Sequence, residues 1–472
     1  MSSGSRTEPS GERERAADQS ETSLASPEGS GVRRVLLIGE GQLADSTHHA
    51  LETRHAEVTR LDDPSDLDIR AVVDRGIDNA IVISRSDVAA LRFALGVAYV
   101  SPGLPLLVTI FSRHVAAEVE ATVENVRVVD MGELAAPAFA GPCLDSGLLA
   151  VAGAPSGDVA AVEVKEGDST PSRAPLATPA PGPVGRALRR LESIVQPFDA
   201  SARILMLGLV GFLAVLVVET VFTSVALGVS IVESLYTAAK VTVTVGPSAP
   251  AETAPAWFKL ITAVAMLLVL GFTAVLTAGL VDRLLDRRLT GIFGRSAVPR
   301  RGHAVIVGLG QVGFRLCQLL RELGIPVVAV ERDVDGDNIG RAKDERIPVV
   351  VGSGGDRRLL RRLSLPHARA LASVTSDELE NISIAVAARG VRGDLNVALR
   401  AGGGDATDEI RSLFGIGVVR DVERIAGTAL AAIALGHDTR EAFPYEGAMY
   451  LVDSRGEIAP FTQVAPAARE PG

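Results

Sequence analysis

The stretch LITAVAMLLVLGFTAVLTAGLV, residues 260–281, carries no charged side chain. At a helical rise of about 1.5 Å per residue it spans roughly 33 Å, which exceeds a hydrocarbon core of about 30 Å. The apolar stretch before it, residues 204–232, carries one charge, Glu219. A helix that begins near Arg203 places this carboxylate about 24 Å along its axis, close to the far interface. We therefore predict two transmembrane helices within residues 203–282.

The segment between these helices reads VSIVESLYTAAKVTVTVGPSAPAETAPAWF, residues 229–258. It is too long for a tight turn, and its first half is too apolar for a solvated loop. Irregular backbone at membrane depth is tolerated only where it is buried in protein or lines a water-filled path. The segment is therefore either a re-entrant pore loop or the loop of an ordinary helical hairpin. Because one hairpin cannot enclose an axis, the pore interpretation requires several copies of the chain.

Tyr236 and the tripeptide TVG at residues 244–246 resemble the two-helix potassium-channel pore family, in which a pore helix led by a Tyr runs into a T-V-G-Y-G-D filter. The match covers half of the filter. The resemblance implies a homotetramer in a lipid bilayer with K+ as the permeant cation. The filter segment would then consist of Thr244, Val245, Gly246, Pro247 and Ser248. We expect the last two to distort the outer ion sites, because proline fixes φ and serine carries a Cβ that penalises positive φ.

Gly271 lies midway along the second predicted membrane helix. It is either a gating hinge or a glycine that lets two helices approach closely.

The amino-acid composition limits the classes of protein to which this chain can belong. The chain has 472 residues, 47% of them hydrophobic, and a formal net charge of −10. The negative charge, without a Lys/Arg run outside the membrane flanks, argues against a nucleic-acid partner. The two cysteines fall in separate segments and predict neither a disulfide framework nor a metal site. Residues 1–31 have almost no large apolar side chains and are predicted to be a disordered tail.

Arginine placement predicts the topology. Arginines flank the hairpin on both sides. They lie within a predicted amphipathic interface helix at 184–202 and a predicted basic connector at 283–301. The only basic residues between the two membrane helices are Lys240 and Lys259. By the positive-inside rule both termini lie in the cytoplasm of a multi-pass plasma-membrane protein. The segment 184–202 is otherwise a plain connector helix.

The sequence after the hairpin contains a dinucleotide-binding fingerprint. The apolar run HAVIV leads into G-x-G-x-x-G at Gly308, Gly310 and Gly313, and Glu331 follows at the spacing of a ribose-binding acid. The helix that opens after this turn presents free N–H groups to a phosphate.

The order of motifs over residues 302–438 resembles the RCK (TrkA-N) domain, an α/β Rossmann-like fold. The resemblance implies a cytoplasmic domain that binds NAD(H) or ATP/ADP as a regulatory ligand and pairs with other RCK domains. The further ligand-binding positions that it implies are Arg332, Gly352, Thr375 and Arg400. Ser353 stands where the family has Asp, so the adenosine contact of that Asp does not carry over to this chain.

Residues 32–150 resemble the same domain more faintly. Gly39 and Gly41 form a partial glycine turn, and Asp62 follows at the matching distance. This first copy lacks room for one strand–helix unit, so we predict an internal duplication whose first member is a degenerate domain acting as scaffold, with a weaker second site at most. Residues 151–183, rich in Ala, Pro and Gly, are predicted to be a linker, and 439–472 a C-terminal extension.

Together these features predict a membrane α-helical pore hairpin plus Rossmann-like RCK domains, and a ligand-gated potassium-type channel subunit without catalytic residues. Two alternatives stay open. One is a weakly selective or non-conducting membrane nucleotide sensor. The other is a membrane-anchored NAD oxidoreductase, which would need a positioned acid or base, whereas the seven histidines follow no motif.

Overall fold

A computed structural model describes residues 32–153, 159–165, 169–176, 200–242, 255–285, 299–336, 338–402 and 415–462. The chain forms two compact units. Unit one comprises residues 1–128, 426–440 and 446–472, and unit two comprises residues 129–425 and 441–445. The predicted tail at 1–31, the interface helix up to residue 199 and the filter lie outside the described residues.

The first sheet has five strands: β1 (Arg34–Ile38), β2 (Glu57–Leu61), β3 (Asn79–Val82), β4 (Leu106–Thr109) and β5 (Val126–Val129). The helices between and after them are α1 (Gln42–Thr53), α2 (Asp66–Val73), α3 (Asp87–Val100), α4 (Arg113–Thr122) and α5 (Met131–Leu144). The strand order is β2-β1-β3-β4-β5. β1 lies parallel to both β2 and β3. Its apolar run is buried on both faces, as the middle of a helix-covered parallel sheet requires.

The predicted linker at 151–183 is wrong where the structure describes it. β6 (Ala150–Gly153), β7 (Val159–Val164) and β8 (Pro171–Pro175) form an antiparallel sheet of three strands. Alanine and proline give this segment the composition of a linker. Its short Val/Ala run nevertheless pairs with a strand on each side, and Ala161 and Val162 are buried.

Three helices form the hydrophobic hairpin: α6 (Ala200–Leu227), α7 (Ile231–Thr242) and α8 (Ala256–Leu285). By length and composition, Leu207–Leu227 and Ala256–Val281 can cross a membrane. Close packing of α6 on α8 depends on small residues, because a Cβ at Gly208 would lie 2.8 Å from the Leu276 backbone nitrogen.

The second sheet has six strands: β9 (Ala304–Val307), β10 (Val327–Glu331), β11 (Val349–Val351), β12 (Ala370–Ser373), β13 (Asn396–Arg400) and β14 (Val418–Arg420). Its helices are α9 (Gln311–Glu322), α10 (Ile339–Asp344), α11 (Arg357–Arg362) and α12 (Glu378–Arg389). A 3-10 turn covers Leu365–His367. All the neighbouring strands are parallel, in the order β11-β10-β9-β12-β13-β14.

The chain continues with α13 (Val422–Ala434), β15 (Glu441–Tyr445), β16 (Ala448–Val452) and β17 (Ile458–Pro460). β16 and β17 pair antiparallel. The predicted C-terminal extension thus contributes strands.

The two sheets share one topology apart from a single strand. The series β2-β1-β3-β4-β5 corresponds to β10-β9-β12-β13-β14, and the first sheet has no counterpart of β11. A strand–helix unit is therefore absent from the first copy, which confirms that prediction.

The compact units do not follow the predicted linear ranges 32–150 and 302–438. α5 follows the first sheet yet belongs to unit two, where residues from Gly132 to Leu144 are buried. Arg420 fixes it there by donating from Nε to the carbonyl oxygen of Ala138 at 3.1 Å. In unit one, residues 426–434 of α13 lie against α1, since a Cβ at Gly427 would lie 2.8 Å from the Ser46 Cβ. Each unit therefore contains helical residues from the other sequence repeat.

Candidate functional site

Three glycines shape the turn between β9 and α9. Gly308 has φ +93°, and a Cβ there would lie 2.9 Å from the Thr375 backbone nitrogen. A Cβ at Gly313 would overlap the Gly308 carbonyl oxygen. Gly310 is different, because no described atom lies within 4 Å of the Cβ position. The first and third glycines therefore permit close packing, and the middle one faces open space where a ligand can approach the backbone.

The N-terminus of α9 favours an anion. Gly310 is its N-cap residue, no side chain caps it, and its first turn contains no acidic residue. The first N–H groups of a helix have no intrahelical acceptor and carry the positive end of the helix dipole. A phosphate above Gly310 would meet this end directly.

Glu331, at the end of β10, reaches the same turn. Its Oε2 accepts a hydrogen bond from the Leu309 N–H at 2.7 Å, and its Oε1 accepts from the N–H groups of Arg332 (2.8 Å) and Asp333 (3.2 Å). The carboxylate is thus already positioned against the glycine turn. A carboxylate has about four lone-pair directions and three are used here, so Glu331 can still accept one hydrogen bond from a ribose hydroxyl group.

The Arg332 side chain pairs with an acidic residue in the first turn of α12. Its Nη1 pairs with Glu380 Oε1 at 3.1 Å, and its side chain is 73% exposed. A 2′-phosphate would therefore meet Glu331 next to an arginine that is already paired.

Asn381 connects the ends of β12 and β13, and its side chain is fully buried. Its Oδ1 accepts from the Ser373 hydroxyl, the Thr375 N–H and the Thr375 hydroxyl at 2.8–3.0 Å. Its Nδ2 donates to the carbonyl oxygens of Thr375 and Arg400. Asn381 therefore holds Thr375 against Gly308 at the point where the strand order changes direction, the usual ligand crevice of such sheets.

Sequence reasoning missed Asn338. Its Nδ2 donates to the Leu309 carbonyl oxygen at 2.9 Å, and its side chain is 6% exposed. Glu331 and Asn338 thus bind the N–H and the carbonyl of one residue in the glycine turn. The available signal in the sequence was an asparagine seven residues after Glu331.

The two remaining predicted positions have structural partners. A Cβ at Gly352 would lie 2.8 Å from Leu359 Cδ2, so this glycine permits packing of α11. Arg400 forms an ion pair with Glu423 of α13, and both side chains are largely buried. The structure brings Gly308, Gly310, Glu331 and Thr375 together around one turn, whereas the Arg400 charge is neutralised by its neighbour.

The first copy has an ion-pair network beside its glycine turn, although the Cβ position of Gly41 is as open as that of Gly310. Arg60 Nε donates to the Gly39 carbonyl oxygen at 3.1 Å, and its Nη1 pairs with Asp45 Oδ1 at 2.5 Å. Arg60 also pairs with Asp62 at 3.2 Å. Asp45 lies in the first turn of α1, where its charge opposes that of a phosphate. The hydrogen bond to Asp45 raises the pKa of Arg60.

The hairpin region contains the predicted filter, the predicted pore helix and the predicted hinge glycine. The filter residues Thr244–Ser248 lie outside the described residues. α7, which ends at Thr242, occupies the position predicted for a pore helix. No described atom lies within 4 Å of a Cβ at Gly271, so helix packing within the chain does not explain this glycine.

Comparison with known proteins identifies the second repeat. Residues 304–419 match the TrkA-N domain model, and the chain contains a TrkA-N (RCK) domain. The chain is 36% identical over 103 residues to the Trk system potassium uptake protein TrkA of Streptomyces coelicolor, covering 21% of this chain and 44% of that protein. It is 24% identical over 141 residues to Potassium channel protein 1 of Methanocaldococcus jannaschii, covering 29% and 41%.

A third relative is the chloroplastic K(+) efflux antiporter 2 of Arabidopsis thaliana, which is 34% identical over 116 residues, covering 23% of this chain and 10% of that protein. The matches span less than half the length of these curated relatives.

Among solved structures, the chain resembles the GsuK channel bound to NAD, with a TM-score of 0.45 and 14% identity over 87% of this chain and 65% of that one. It also resembles the TrkA-N domain of inner membrane protein ybaL from Escherichia coli, with a TM-score of 0.24 and 25% identity over 26% and 90%.

Proposed function

We propose that this chain is a subunit of a potassium-type cation channel whose pore is opened or closed by a nucleotide bound to the C-terminal RCK domain. The proposal rests on one observation: a nucleotide-type turn and a membrane-length hairpin occur in the same chain. An open glycine turn at Gly310 and two membrane-length helices around the short helix α7 belong to the same polypeptide. The curated relatives carry potassium-transport names, which supports the ion class.

The ligand we propose is an adenine nucleotide, NAD(H) or ATP/ADP. Its phosphates would lie over residues 308–313, where the α9 N-terminus is open, and its ribose hydroxyls would bind Glu331. A ligand that displaces the Leu309 N–H from Glu331 would alter the turn itself, which gives binding a structural consequence. The first copy acts as scaffold in this proposal, because Arg60 binds the Gly39 carbonyl oxygen and Asp45 places a negative charge in the first turn of α1.

Self-association is part of the proposal, since one hairpin cannot form a pore. α3 and α12 are equivalent helices of the two repeats. Val88 and Leu379 occupy the same position in them and are each 78% exposed, and Leu95 and Val386, one heptad later, are 41% and 45% exposed. Exposed apolar side chains repeated on equivalent helix faces are typical of surfaces that contact other subunits. We propose a homotetramer in the plasma membrane with the soluble units in the cytoplasm.

Selectivity follows from the filter sequence. Pro247 and Ser248 replace residues whose backbone directs carbonyls inward, so we propose a pore with a weakened potassium preference. The reversal potential of purified protein in planar bilayers under a K+/Na+ gradient tests this. A value well short of the potassium equilibrium potential is expected, and a value at that potential would refute our interpretation of Pro247 and Ser248.

Three other functions compete with this one. A non-conducting sensor would show nucleotide binding without ion flux in liposomes. An exchanger, as in the named antiporter relative, would move K+ against an opposing cation gradient without net current. Liposome flux measured with and without an imposed membrane voltage separates the channel, the sensor and the exchanger. An oxidoreductase would show hydride transfer, and the curated relatives with TrkA-N similarity are named as transport proteins.

A further inference from the structure

A groove of about 460 Å³ runs between the two membrane-length helices of unit two. Its walls are almost entirely apolar. They include Val215, Val218 and Phe222 on α6 and Ile261, Leu268 and Phe272 on α8. We call this surface the α6–α8 groove. Its volume falls within the range of small-molecule sites.

Glu219 is the one ionisable side chain of the α6–α8 groove. It is 5% exposed, and its Oε2 has no hydrogen-bond partner among the described residues. The adjacent Thr220 hydroxyl donates to the Leu216 carbonyl of its own helix, so it does not serve the carboxylate. A buried carboxylate oxygen without a donor is costly in apolar surroundings, and ionisable side chains within membrane helices usually mark binding or transport positions.

The groove is open along the side of the hairpin, which would face lipid when these two helices span a bilayer. Val218 and Leu268 on its walls are 67% and 49% exposed. Glu219 lies eight residues before Leu227, the end of α6, which is about 12 Å along the helix axis. The groove walls around Glu219 are apolar, so a ligand that occupies the groove and reaches this carboxylate needs an apolar body.

We propose that the α6–α8 groove binds a primary alkylammonium ion, with its alkyl chain along the apolar walls and its ammonium group donating to Glu219 Oε2. The chemistry follows from complementarity. A carboxylate oxygen in apolar surroundings binds a charged donor more strongly than a neutral one, and a primary ammonium has three donors. The proposal requires the hairpin to lie in a bilayer and does not depend on ion conduction or on the nucleotide.

The fluorescence of a native tryptophan can report whether the α6–α8 groove is occupied. Trp257 is its single tryptophan, and its ring centroid lies 6.0 Å from that of Phe222 on the groove wall. Dodecylamine carrying a nitroxide should therefore quench Trp257 fluorescence when it occupies the groove. The full-length protein in phosphatidylcholine nanodiscs would be titrated with this amine and, in parallel, with nitroxide-labelled dodecanol.

We expect saturable quenching by the amine and only linear, non-saturable quenching by the alcohol. Glu219→Gln should weaken the amine by at least about tenfold, because it removes a charged hydrogen bond. Glu233→Gln is the matched control, since Glu233 is exposed in the first turn of α7 and should leave the affinity unchanged. Ala265→Phe, which fills the groove without altering charge, should abolish saturation.

Equal amine affinity in Glu219→Gln would overturn the proposal. So would saturation by the alcohol at the same affinity, or no saturable quenching at all, the result expected if a second copy covers the groove. Nanodiscs containing phosphatidylethanolamine test one natural source of the ammonium. A severalfold weaker probe affinity there would show that this lipid headgroup competes for the groove, and an unchanged affinity would exclude phosphatidylethanolamine as its occupant.

Discussion

Arg315 Nε lies 2.6 Å from Asp130 Oδ2, and the two side chains are 6% and 5% exposed. Asp130 also caps α5 by accepting from the Gly132 N–H at 2.7 Å. Arg315 belongs to α9, the helix that opens behind the nucleotide turn. The ion pair therefore joins the helix following the first sheet to the helix that we propose binds the phosphates.

Breaking this pair should destabilise the protein strongly. Arg315→Ala leaves the Asp130 carboxyl buried without its cation, and loss of one partner of a buried pair costs about 3–5 kcal/mol. Burial raises the pKa of Asp130, and Arg315 opposes that shift, so the variant should protonate Asp130 more readily. Scanning calorimetry of the purified chain should show a midpoint lowered by several degrees.

The control is the exposed pair Arg392–Asp394, at 2.8 Å with Asp394 78% exposed. Asp394→Asn should cost less than about 1 kcal/mol. Equal effects of the two substitutions would contradict the importance of the buried pair.

Glu331→Ala should reduce the affinity of the full-length chain for an adenine nucleotide by at least about tenfold. It removes the ribose acceptor and frees the Leu309 N–H. Asp62→Ala, at the matching position of the first copy, should change the affinity less than twofold, because Asp62 pairs with Arg60. Titration calorimetry with NAD and with ADP measures both. An unaltered affinity in Glu331→Ala would refute the placement of the ribose.

Gly310→Asp should abolish nucleotide binding without disturbing the fold. Gly310 has φ −71°, which any residue adopts, and its Cβ position is open. The added charge would repel phosphate at the α9 N-terminus. Gly313→Ala is the contrast, because its Cβ overlaps the Gly308 carbonyl and the variant should lose stability. A Gly310→Asp protein that binds the nucleotide normally would contradict the phosphate position.

Stability should fall as pH drops from about 6.5 to about 4. Burial lowers the pKa of His303 to about 4, and its Nε2 lies 2.9 Å from the Leu363 carbonyl oxygen. The unfolded chain takes up the proton first, so the contribution is complete above pH 6.5 and is lost toward pH 4. The full shift corresponds to about 3 kcal/mol.

Burial also lowers the pKa of His437 to about 4. His437 therefore contributes to the same dependence of stability on pH. Replacing His303 by Gln should therefore reduce the pH dependence of the calorimetric midpoint without abolishing it. A slope equal to that of the wild type would exclude His303 as its source.

Both soluble ends should be protected from an impermeant thiol reagent in intact cells. Cysteines introduced at Ser26 and Ser454 test this. Background from the native thiols should be low, because Cys143 and Cys317 are buried and burial raises the pKa of Cys143 to about 12. Labelling of either introduced cysteine would reverse the predicted topology.

Local patterns predicted the parts of the fold that depend on neighbouring residues. The apolar run of 260–281 predicted a membrane-length helix, and the glycine spacing at 308–313 predicted the turn where the structure has it. The first copy, residues 32–150, has too few residues between its motifs for one strand–helix unit. This predicted that its sheet would lack one strand.

Features set by distant residues were not predictable in this way. The placement of α5 in unit two depends on Arg420 and Arg315, which lie far along the chain. The strand β7 has a linker composition and is stabilised by its two neighbours. Arg400 has an acidic partner, Glu423, that no local motif revealed.

Current through purified full-length protein in a planar bilayer, before and after an adenine nucleotide is added to the cytoplasmic side, tests the central claim most directly. We predict a cation current that changes severalfold on addition in the wild type and does not respond in Glu331→Ala at the same concentration. A current that is indifferent to nucleotide in the wild type, or that responds equally in Glu331→Ala, would contradict regulation of the pore through the glycine turn of the C-terminal RCK domain.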